Sequence, residues 1–244
     1  DGLNSELRNY QKEGYIWMFG LHKNGFGGCL ADDMGLGKTL QTITLLLKIK
    51  RKERPQAVNN LQLDLFQQID SGSDNQPANL IVVPTSLVHN WESEIVRFAG
   101  SLRVYLHTGP ARKRNSDLED TVNSYDVVLT TYGTVRNDID ILGSINFHYL
   151  ILDESQYVKN PASKTYKAVM KLKGAHRLVL TGTPIENSLS DLWAQMNFLN
   201  KGMLGNQPFF RRFFITPIEK HNDSDQQEKL RLLIRPFILR RTKE

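Results

Sequence analysis

A glycine-rich loop lies between an apolar run and a helical pattern near the start of the chain. It reads Asp32-Asp33-Met34-Gly35-Leu36-Gly37-Lys38-Thr39 and follows the apolar residues 28–31. Apolar side chains then recur at helical spacing, at Leu40, Ile43 and Leu47. Glycines allow a backbone to fold around an anion, so that its N–H groups converge on phosphate oxygens. This order of strand, loop and helix is typical of a nucleotide-binding α/β fold.

The loop departs from the usual pattern at one position. The pattern G-x-x-x-x-G-K-[ST] would place glycine where this chain has Asp32. Lys38 can still reach the β- and γ-phosphates of a nucleotide, and the Thr39 hydroxyl can hold Mg²⁺. The alternative is a strand-to-helix turn that holds a lysine by chance. The correct order of all three elements argues against that alternative.

Composition narrows the class of protein. The chain has 244 residues, of which 40% are hydrophobic, enough for one α/β domain with a proper core. Its one cysteine, Cys29, lies in an apolar run, so we expect a buried structural thiol and a reducing compartment. No apolar run approaches the roughly 18–20 residues of a membrane span, and no signal peptide is visible. The chain begins with Asp1, so we expect an excised piece of a longer protein.

The positive charge is concentrated at one end of the sequence. Residues 201–244 contain ten Lys or Arg against five Asp or Glu, a balance equal to the whole chain's net charge of +5. A basic stretch suits a polyanionic partner, and a solvated helical surface is an equally good explanation from charge alone. We expect residues 1–200 to form the nucleotide-binding lobe and residues 201–244 to form a basic helical extension and linker.

Short apolar runs alternate with helical stripes along residues 1–200. The runs predict strands at 28–31, 80–84, 102–107, 126–131, 149–153 and 177–181. Helical stripes lie between them, and Ser163 is a plausible N-cap for one. Such alternation predicts a mostly parallel sheet with helices on both faces, in three layers. Residues 52–78 interrupt the pattern with a polar stretch, which we interpret as an inserted surface loop.

Two further motifs end predicted strands at the same edge of the sheet as the glycine-rich loop. Asp153 and Glu154 follow one strand and could hold Mg²⁺ and activate water. Thr181-Gly182-Thr183 ends the next strand and could sense a γ-phosphate. Alone, each motif also fits an ordinary helix cap or turn. Ligands of parallel α/β sheets bind at this edge, which favours the functional interpretation.

The full set of motifs resembles a known family. The chain is similar end to end to the sucrose-non-fermenting-two family, chromatin-remodeller-type ATPases of helicase superfamily two. The resemblance rests on the segments Leu7…Tyr10-Gln11…Gly14…Trp17, Leu30 to Thr39, Val83-Pro84-Thr85-Ser86-Leu87…Asn90-Trp91, Leu129-Thr130-Thr131-Tyr132, Asp153-Glu154-Ser155-Gln156…Lys159-Asn160, Leu180-Thr181-Gly182-Thr183-Pro184-Ile185-Glu186-Asn187 and Pro236-Phe237-Ile238-Leu239-Arg240-Arg241-Thr242-Lys243. The aspartate-rich loop is the family's own form. Gln156, where many relatives have His, favours a bacterial member.

The resemblance implies a RecA-like P-loop fold with ATP and Mg²⁺ as cofactors. It implies nucleotide-binding roles for Gln11, Gly35, Gly37, Lys38, Thr39 and Gln156. Thr39 and Asp153 would hold the metal, Glu154 would activate water, and the implied catalytic residues are Glu154, Asp153 and Lys38. Coupling roles fall to Thr181 and Thr183. Contacts to the DNA backbone fall to Thr85, Ser86, Thr131 and Tyr132.

The family's motor has two lobes, and the second lobe supplies the arginine fingers. This sequence matches the first lobe, so the resemblance implies half an active site; Arg240 and Arg241 are weak internal substitutes. Expected partners are double-stranded DNA, a second RecA-like lobe of the same parent chain, and RNA polymerase or another DNA-bound complex, with no membrane. The expected location is the cytoplasm, at the bacterial nucleoid, or the nucleus in a eukaryote. A nucleotide-gated DNA clamp and a strand-separating helicase remain alternatives to a DNA translocase.

Overall fold

A computed structural model of the chain describes residues 2–52, 77–114, 117–182 and 188–243. Within these ranges seven strands form one parallel sheet, in the order β3-β4-β2-β5-β6-β1-β7. The strands are β1 (Gly28–Leu30), β2 (Asn79–Val83), β3 (Val104–His107), β4 (Val127–Thr131), β5 (Asn146–Asp153), β6 (Lys173–Leu180) and β7 (Ile238–Leu239). The expected parallel α/β fold is confirmed.

Helices cover both faces of this sheet. The α-helices are α1 (Asn9–Lys23), α2 (Lys38–Lys52), α3 (Val88–Phe98), α4 (Leu118–Asn123), α5 (Tyr132–Asn137), α6 (Ile139–Leu142), α7 (Lys164–Val169), α8 (Leu189–Leu199), α9 (Gln207–Phe210) and α10 (Ser224–Ile234). One-turn 3₁₀ helices span Thr85–Leu87, Ser155–Val158 and Arg235–Phe237, and a π-helix spans Arg211–Lys220. No described helix combines the length and apolar character needed to cross a membrane.

Alternating side chains of the central strands enter two separate hydrophobic cores. Leu80 and Val82 of β2 join the core beneath α5, α7 and α8, whereas Ile81 and Val83 join the core beneath α1, α2 and α3. Both faces are therefore buried, as expected for strands in a parallel sheet with helices on each side. The arrangement is the predicted three-layer architecture.

Several boundaries differ from the sequence prediction. Strands β5 and β6 begin three and four residues earlier than predicted, at Asn146 and Lys173. Polar side chains at partly or fully exposed positions occupy these strand starts, Asn146 and His148 in β5 and Lys173 and His176 in β6, and interrupt the apolar run that served as the signal. The predicted N-cap at Ser163 is present, because its hydroxyl accepts a hydrogen bond from the Tyr166 N–H at 3.0 Å. Residues 53–76 of the expected inserted loop lie outside the described residues.

The basic segment after residue 200 packs on the body of the domain. Phe210, Phe214, Leu230 and Ile234 are buried in the core beneath α8. Strand β7 then pairs in parallel with β1 through Cys29↔Ile238 and Leu30↔Leu239. The sequence did not predict this strand, which has only two residues. The division at residue 200 stays a prediction, and the structure adds that the later segment contributes to the same core and sheet.

Substitution of Leu230 by alanine tests how firmly this segment belongs to the domain. Leu230 is 3% exposed on α10, and Leu232 on the same helix is 55% exposed. We expect Leu230→Ala to lower the free energy of unfolding by about 2–4 kcal/mol because it leaves a cavity. The matched control Leu232→Ala should change it by less than about 0.5 kcal/mol. Urea unfolding followed by circular dichroism measures both, and equal effects would contradict the burial of Leu230 in the core.

Candidate functional site at the carboxyl end of the sheet

Three loops with the predicted site residues emerge side by side from neighbouring strands. Leu180 at the end of β6 is in register with Leu30 of β1 on one side and with Asp153 of β5 on the other. Adjacent strands lie about 4.8 Å apart, so the Leu30 and Asp153 backbones are about 10 Å apart across β6. The glycine-rich loop and the Asp153–Glu154 pair therefore lie on the two sides of the end of β6, at the same edge of the sheet, as the sequence predicted.

The glycine-rich loop has the backbone that its sequence requires. Gly35 and Gly37 have φ values of 84° and 76°, a left-handed conformation that favours glycine. Lys38 begins α2, and its Nζ donates to the carbonyl oxygens of Asp32 at 2.6 Å and Asp33 at 3.4 Å. Thr39 follows in the first turn of the helix, where unpaired N–H groups and the helix dipole favour anions. The loop thus has the form of a phosphate site.

Asp32, at the position where the usual loop has glycine, forms a buried ion pair. Its side chain is fully buried, and both carboxylate oxygens accept hydrogen bonds from Arg241, at 2.9 Å from Nε and 2.5 Å from Nη2. Gln41 of α2 also donates to Asp32 at 3.3 Å and accepts from Arg241 at 2.9 Å. The aspartate therefore attaches the loop to the segment that follows β7.

Helix α1 packs closely against the same loop. The Gln11 amide donates to the Leu36 carbonyl at 3.3 Å and accepts from the Arg8 N–H at 3.0 Å. A Cβ atom added at Gly14 would lie 1.9 Å from Gln41 Oε1 and 2.7 Å from Arg241 Nη2. A side chain at this position would therefore displace the ends of the Gln41 and Arg241 side chains, which bond to each other and to Asp32. The structure shows Gln11 bound to the loop. Its expected nucleotide-binding role stays a prediction.

The two acidic residues at the end of β5 have different environments. Asp153 is 7% exposed and accepts hydrogen bonds from Trp91 Nε1 at 2.8 Å and from the Glu154 N–H at 2.9 Å. Burial raises the pKa of Asp153, while the positive charge of Lys38 acts in the opposite direction. Glu154 is half-buried and has a φ of 52°, a left-handed conformation uncommon for non-glycine residues. Such strain often accompanies functional sites.

The expected coupling residues are only partly described. Thr181 is fully buried, and its N–H donates to the Leu30 carbonyl at 3.1 Å, directly before the glycine-rich loop. Thr183 lies outside the described residues. Gln156 is exposed in the short helix after Glu154. The structure thus joins the Thr181 segment to the phosphate loop through the backbone.

The residues expected to contact DNA differ in accessibility. Thr85 and Ser86 are exposed in the 3₁₀ turn after β2. Thr131 is buried and caps α5 by accepting from the Thr134 N–H at 3.1 Å, and the buried Tyr132 hydroxyl donates to the Asp153 carbonyl at 2.7 Å. The Thr131 hydroxyl thus caps α5, and the Tyr132 hydroxyl joins the start of this helix to the end of β5. Contact with DNA stays a prediction for all four residues.

Sequence reasoning did not find the partners of Asp32 and Asp153. The Asp32–Arg241 contact joins residues 209 positions apart, and the Trp91–Asp153 contact joins residues 62 apart. Arg241 and Trp91 both lie in segments that carried the family resemblance, yet a single sequence gives no pairing signal for contacts of this range. The structure also shows that Arg241, considered as an internal arginine finger, is bound to Asp32.

Alanine substitutions at two glycines of α1 test how closely this helix packs against the side chains of Gln41 and Arg241. Gly14→Ala should lower the free energy of unfolding by about 1–3 kcal/mol, because the methyl group would overlap the Gln41 amide. The control Gly20→Ala, which meets no atom within 4 Å, should raise it by about 0.5–1 kcal/mol through helix propensity. Thermal unfolding followed by circular dichroism compares them. A Gly14→Ala protein as stable as the Gly20→Ala protein would contradict the proposed crowding.

Comparisons with known proteins agree with this geometry. The SNF2-related domain matches residues 10–244. The putative ATP-dependent helicase/translocase YwqA of Bacillus subtilis is 43% identical over 237 residues, covering 97% of this chain and 24% of that protein. The TATA-binding protein-associated factor mot1 of Schizosaccharomyces pombe is 36% identical over 253 residues, covering 99% of this chain and 12% of that protein. The chain thus spans about a quarter of these relatives' length or less.

A solved structure shares the fold. The Sulfolobus solfataricus SWI2/SNF2 ATPase core in complex with dsDNA superposes with a TM-score of 0.83 at 40% identity. The match covers 99% of this chain and 46% of that chain. The family match over residues 10–244 shows that the chain belongs to the SNF2-related domain family, the sucrose-non-fermenting-two family that its motifs resemble.

Proposed function

We propose that this chain is the first, ATP-binding motor lobe of an ATP-dependent double-stranded-DNA translocase. The observation that carries the proposal is the placement of the 32–39 loop and the Asp153–Glu154 pair on the two sides of the end of β6. At this edge of the sheet the loop would bind the phosphates, and Glu154 would orient or deprotonate the attacking water. The named functions of the relatives, a helicase/translocase and an ATPase core with DNA, support the proposal.

The oxygen atoms at this edge of the sheet suit a Mg²⁺ ion bound together with ATP. Mg²⁺ prefers oxygen ligands, and the carboxylate of Asp153 and the hydroxyl of Thr39 are oxygen donors. When bound, the ion would neutralise charge on the β- and γ-phosphates. Trp91 and the Glu154 N–H fix the orientation of the Asp153 carboxylate, one hydrogen bond to each oxygen. Lys38 would exchange its contacts with the Asp32 and Asp33 carbonyls for phosphate oxygens.

The DNA partner would contact the same edge of the domain. Thr85 and Ser86 are exposed there and can hydrogen-bond to phosphates, whereas Thr131 and Tyr132 support the scaffold. Contacts to the DNA backbone carry little sequence information, so binding would not depend on sequence. A second RecA-like lobe of the parent chain would complete the motor, which agrees with the 46% coverage of the Sulfolobus core. RNA polymerase or another DNA-bound complex stays the expected target of the whole motor.

Nucleotide binding should depend on Lys38. Lys38→Ala removes the ammonium group placed at the start of α2, so we expect ATP affinity to fall at least about 100-fold while the fold persists. Lys48→Ala, on the exposed side of the same helix, is the matched control and should bind ATP normally. Isothermal titration calorimetry with Mg²⁺·ATP measures both affinities. Wild-type affinity in Lys38→Ala would remove the basis for the phosphate site.

The chain alone should hydrolyse ATP very slowly, with little stimulation by duplex DNA. It can hold the phosphates and a water, but Arg241 is bound to Asp32, and arginines from another module are worth about 10³–10⁵ in rate. Phosphate release with and without DNA tests this. The Glu154→Gln variant shows how much turnover comes from this site. Rapid, DNA-stimulated turnover that Glu154→Gln abolishes would show that these 244 residues contain a complete catalytic centre.

A further inference from the structure

Three histidines from different elements meet at the end of the sheet opposite the phosphate loop. His22 lies in the last turn of α1, His148 near the start of β5, and His176 in the first half of β6. One ring nitrogen from each lies within 4.8 Å of the others. The ring centroids are 4.2 Å apart for His22 and His176, 5.1 Å for His148 and His176, and 5.8 Å for His22 and His148. All three side chains are half-buried.

The chemistry of this histidine cluster suits a metal ion. An imidazole must be neutral to bind a metal ion. Burial is the main reason why the pKa of His148 is lowered to about 4, and the charges of the neighbouring His176 and His22 lower it further. Burial also lowers the pKa of His176. The buried Nδ1 atom of His176 has no hydrogen-bond partner among the residues that the structure describes. A metal ion would give this nitrogen a partner.

The surroundings of the cluster favour a cation and include two cavities. His22 lies at the C-terminal end of a 15-residue helix, where the helix dipole favours positive charge. A cavity of about 260 Å³ is lined by His176 together with Gly27, Gly174 and Asn200, and a neighbouring cavity is lined by His148. Each cavity therefore borders the cluster through one of its histidines.

We propose that His22, His148 and His176 bind one divalent transition-metal ion of the zinc class. A tetrahedral zinc ion with bonds of about 2.0–2.1 Å places its ligand nitrogens about 3.4 Å apart, so the three rings need to move by only about 1 Å. Three imidazoles with a water molecule in the fourth position are a common zinc set. Imidazole nitrogen suits Zn²⁺, Cu²⁺, Ni²⁺ and Co²⁺ and does not suit Mg²⁺.

The proposed ion would join α1 to the two central strands. His22 comes from the helix, whereas His148 and His176 come from the hydrogen-bonded strands β5 and β6. A bound ion would therefore crosslink α1 to this strand pair, next to the ring contacts of His22 with His148, Tyr149 and His176. Tyr149 stacks on His176 at 5.1 Å, and His22 stacks on Tyr149 at 5.8 Å. Asp153 lies five residues beyond His148 on β5, about 16 Å away. The site is therefore separate from the proposed Mg²⁺·ATP site.

Zinc titration of the chelator-treated chain in millimolar Mg²⁺ tests the proposal. Calorimetry should show one equivalent of Zn²⁺ with micromolar or tighter affinity, and Co²⁺ should give the visible absorption of a tetrahedral nitrogen site. Zinc at about 100 times its dissociation constant should raise Tm by about 5 °C or more. His176→Gln and His148→Gln should each weaken Zn²⁺ binding at least about 100-fold and abolish the rise in Tm.

His221→Ala is the matched control, because His221 is exposed and lies on another element. It should keep wild-type zinc affinity and the rise in Tm. Circular dichroism and ATP titration establish that the two glutamine variants are folded. Absence of stoichiometric Zn²⁺ binding to the wild-type chain would overturn the proposal. Equal affinity in the wild-type chain and both folded glutamine variants would also overturn it, and would leave the cluster as an aromatic contact only.

Discussion

The buried ion pair between Asp32 and Arg241 determines how the nucleotide loop is built. Removing one partner of such a pair leaves an uncompensated buried charge, at a cost of about 3–5 kcal/mol. Here the remaining lone pairs and donors are used as well. Gln41 bonds to both partners, and Arg241 also donates to the Tyr10 carbonyl and lies over the Tyr10 ring. One guanidinium group therefore holds together α1, α2, the glycine-rich loop and the segment after β7.

This arrangement explains why aspartate stands where the usual phosphate loop has glycine. The backbone at Asp32 still accepts a hydrogen bond from Lys38, while its side chain points into the ion pair. The segments that follow β1 and β7 are also joined through their backbones. The Ala31 N–H donates to the Leu239 carbonyl, and the Asp33 N–H donates to the Arg241 carbonyl. The loop and residues 238–243 therefore cannot move independently. A displacement of the later segment would act on the loop that is proposed to bind ATP.

Much of the fold could be predicted from the sequence because local signals agree with tertiary structure. The apolar runs identified six strands, and the loop glycines and the acidic pair after β5 were placed correctly at one sheet edge. What the sequence could not give depends on long-range contacts. The two-residue β7 exists only through its pairing with β1, and Trp91 becomes a partner of Asp153 only after α3 packs on the sheet. The histidine cluster likewise joins three elements whose residues are far apart in sequence.

Helix α1 connects the two ends of the sheet. Its first turns contact the nucleotide loop through Gln11 and the close approach at Gly14, and its last turn carries His22. Eleven residues separate Gln11 from His22, a helical rise of about 16 Å. A helix with intact hydrogen bonds resists changes in length, so a constraint on His22 restricts the position of Gln11. Any ligand that fixes the histidine end relative to β5 and β6 would therefore reduce the freedom of the helix that contacts the phosphate loop.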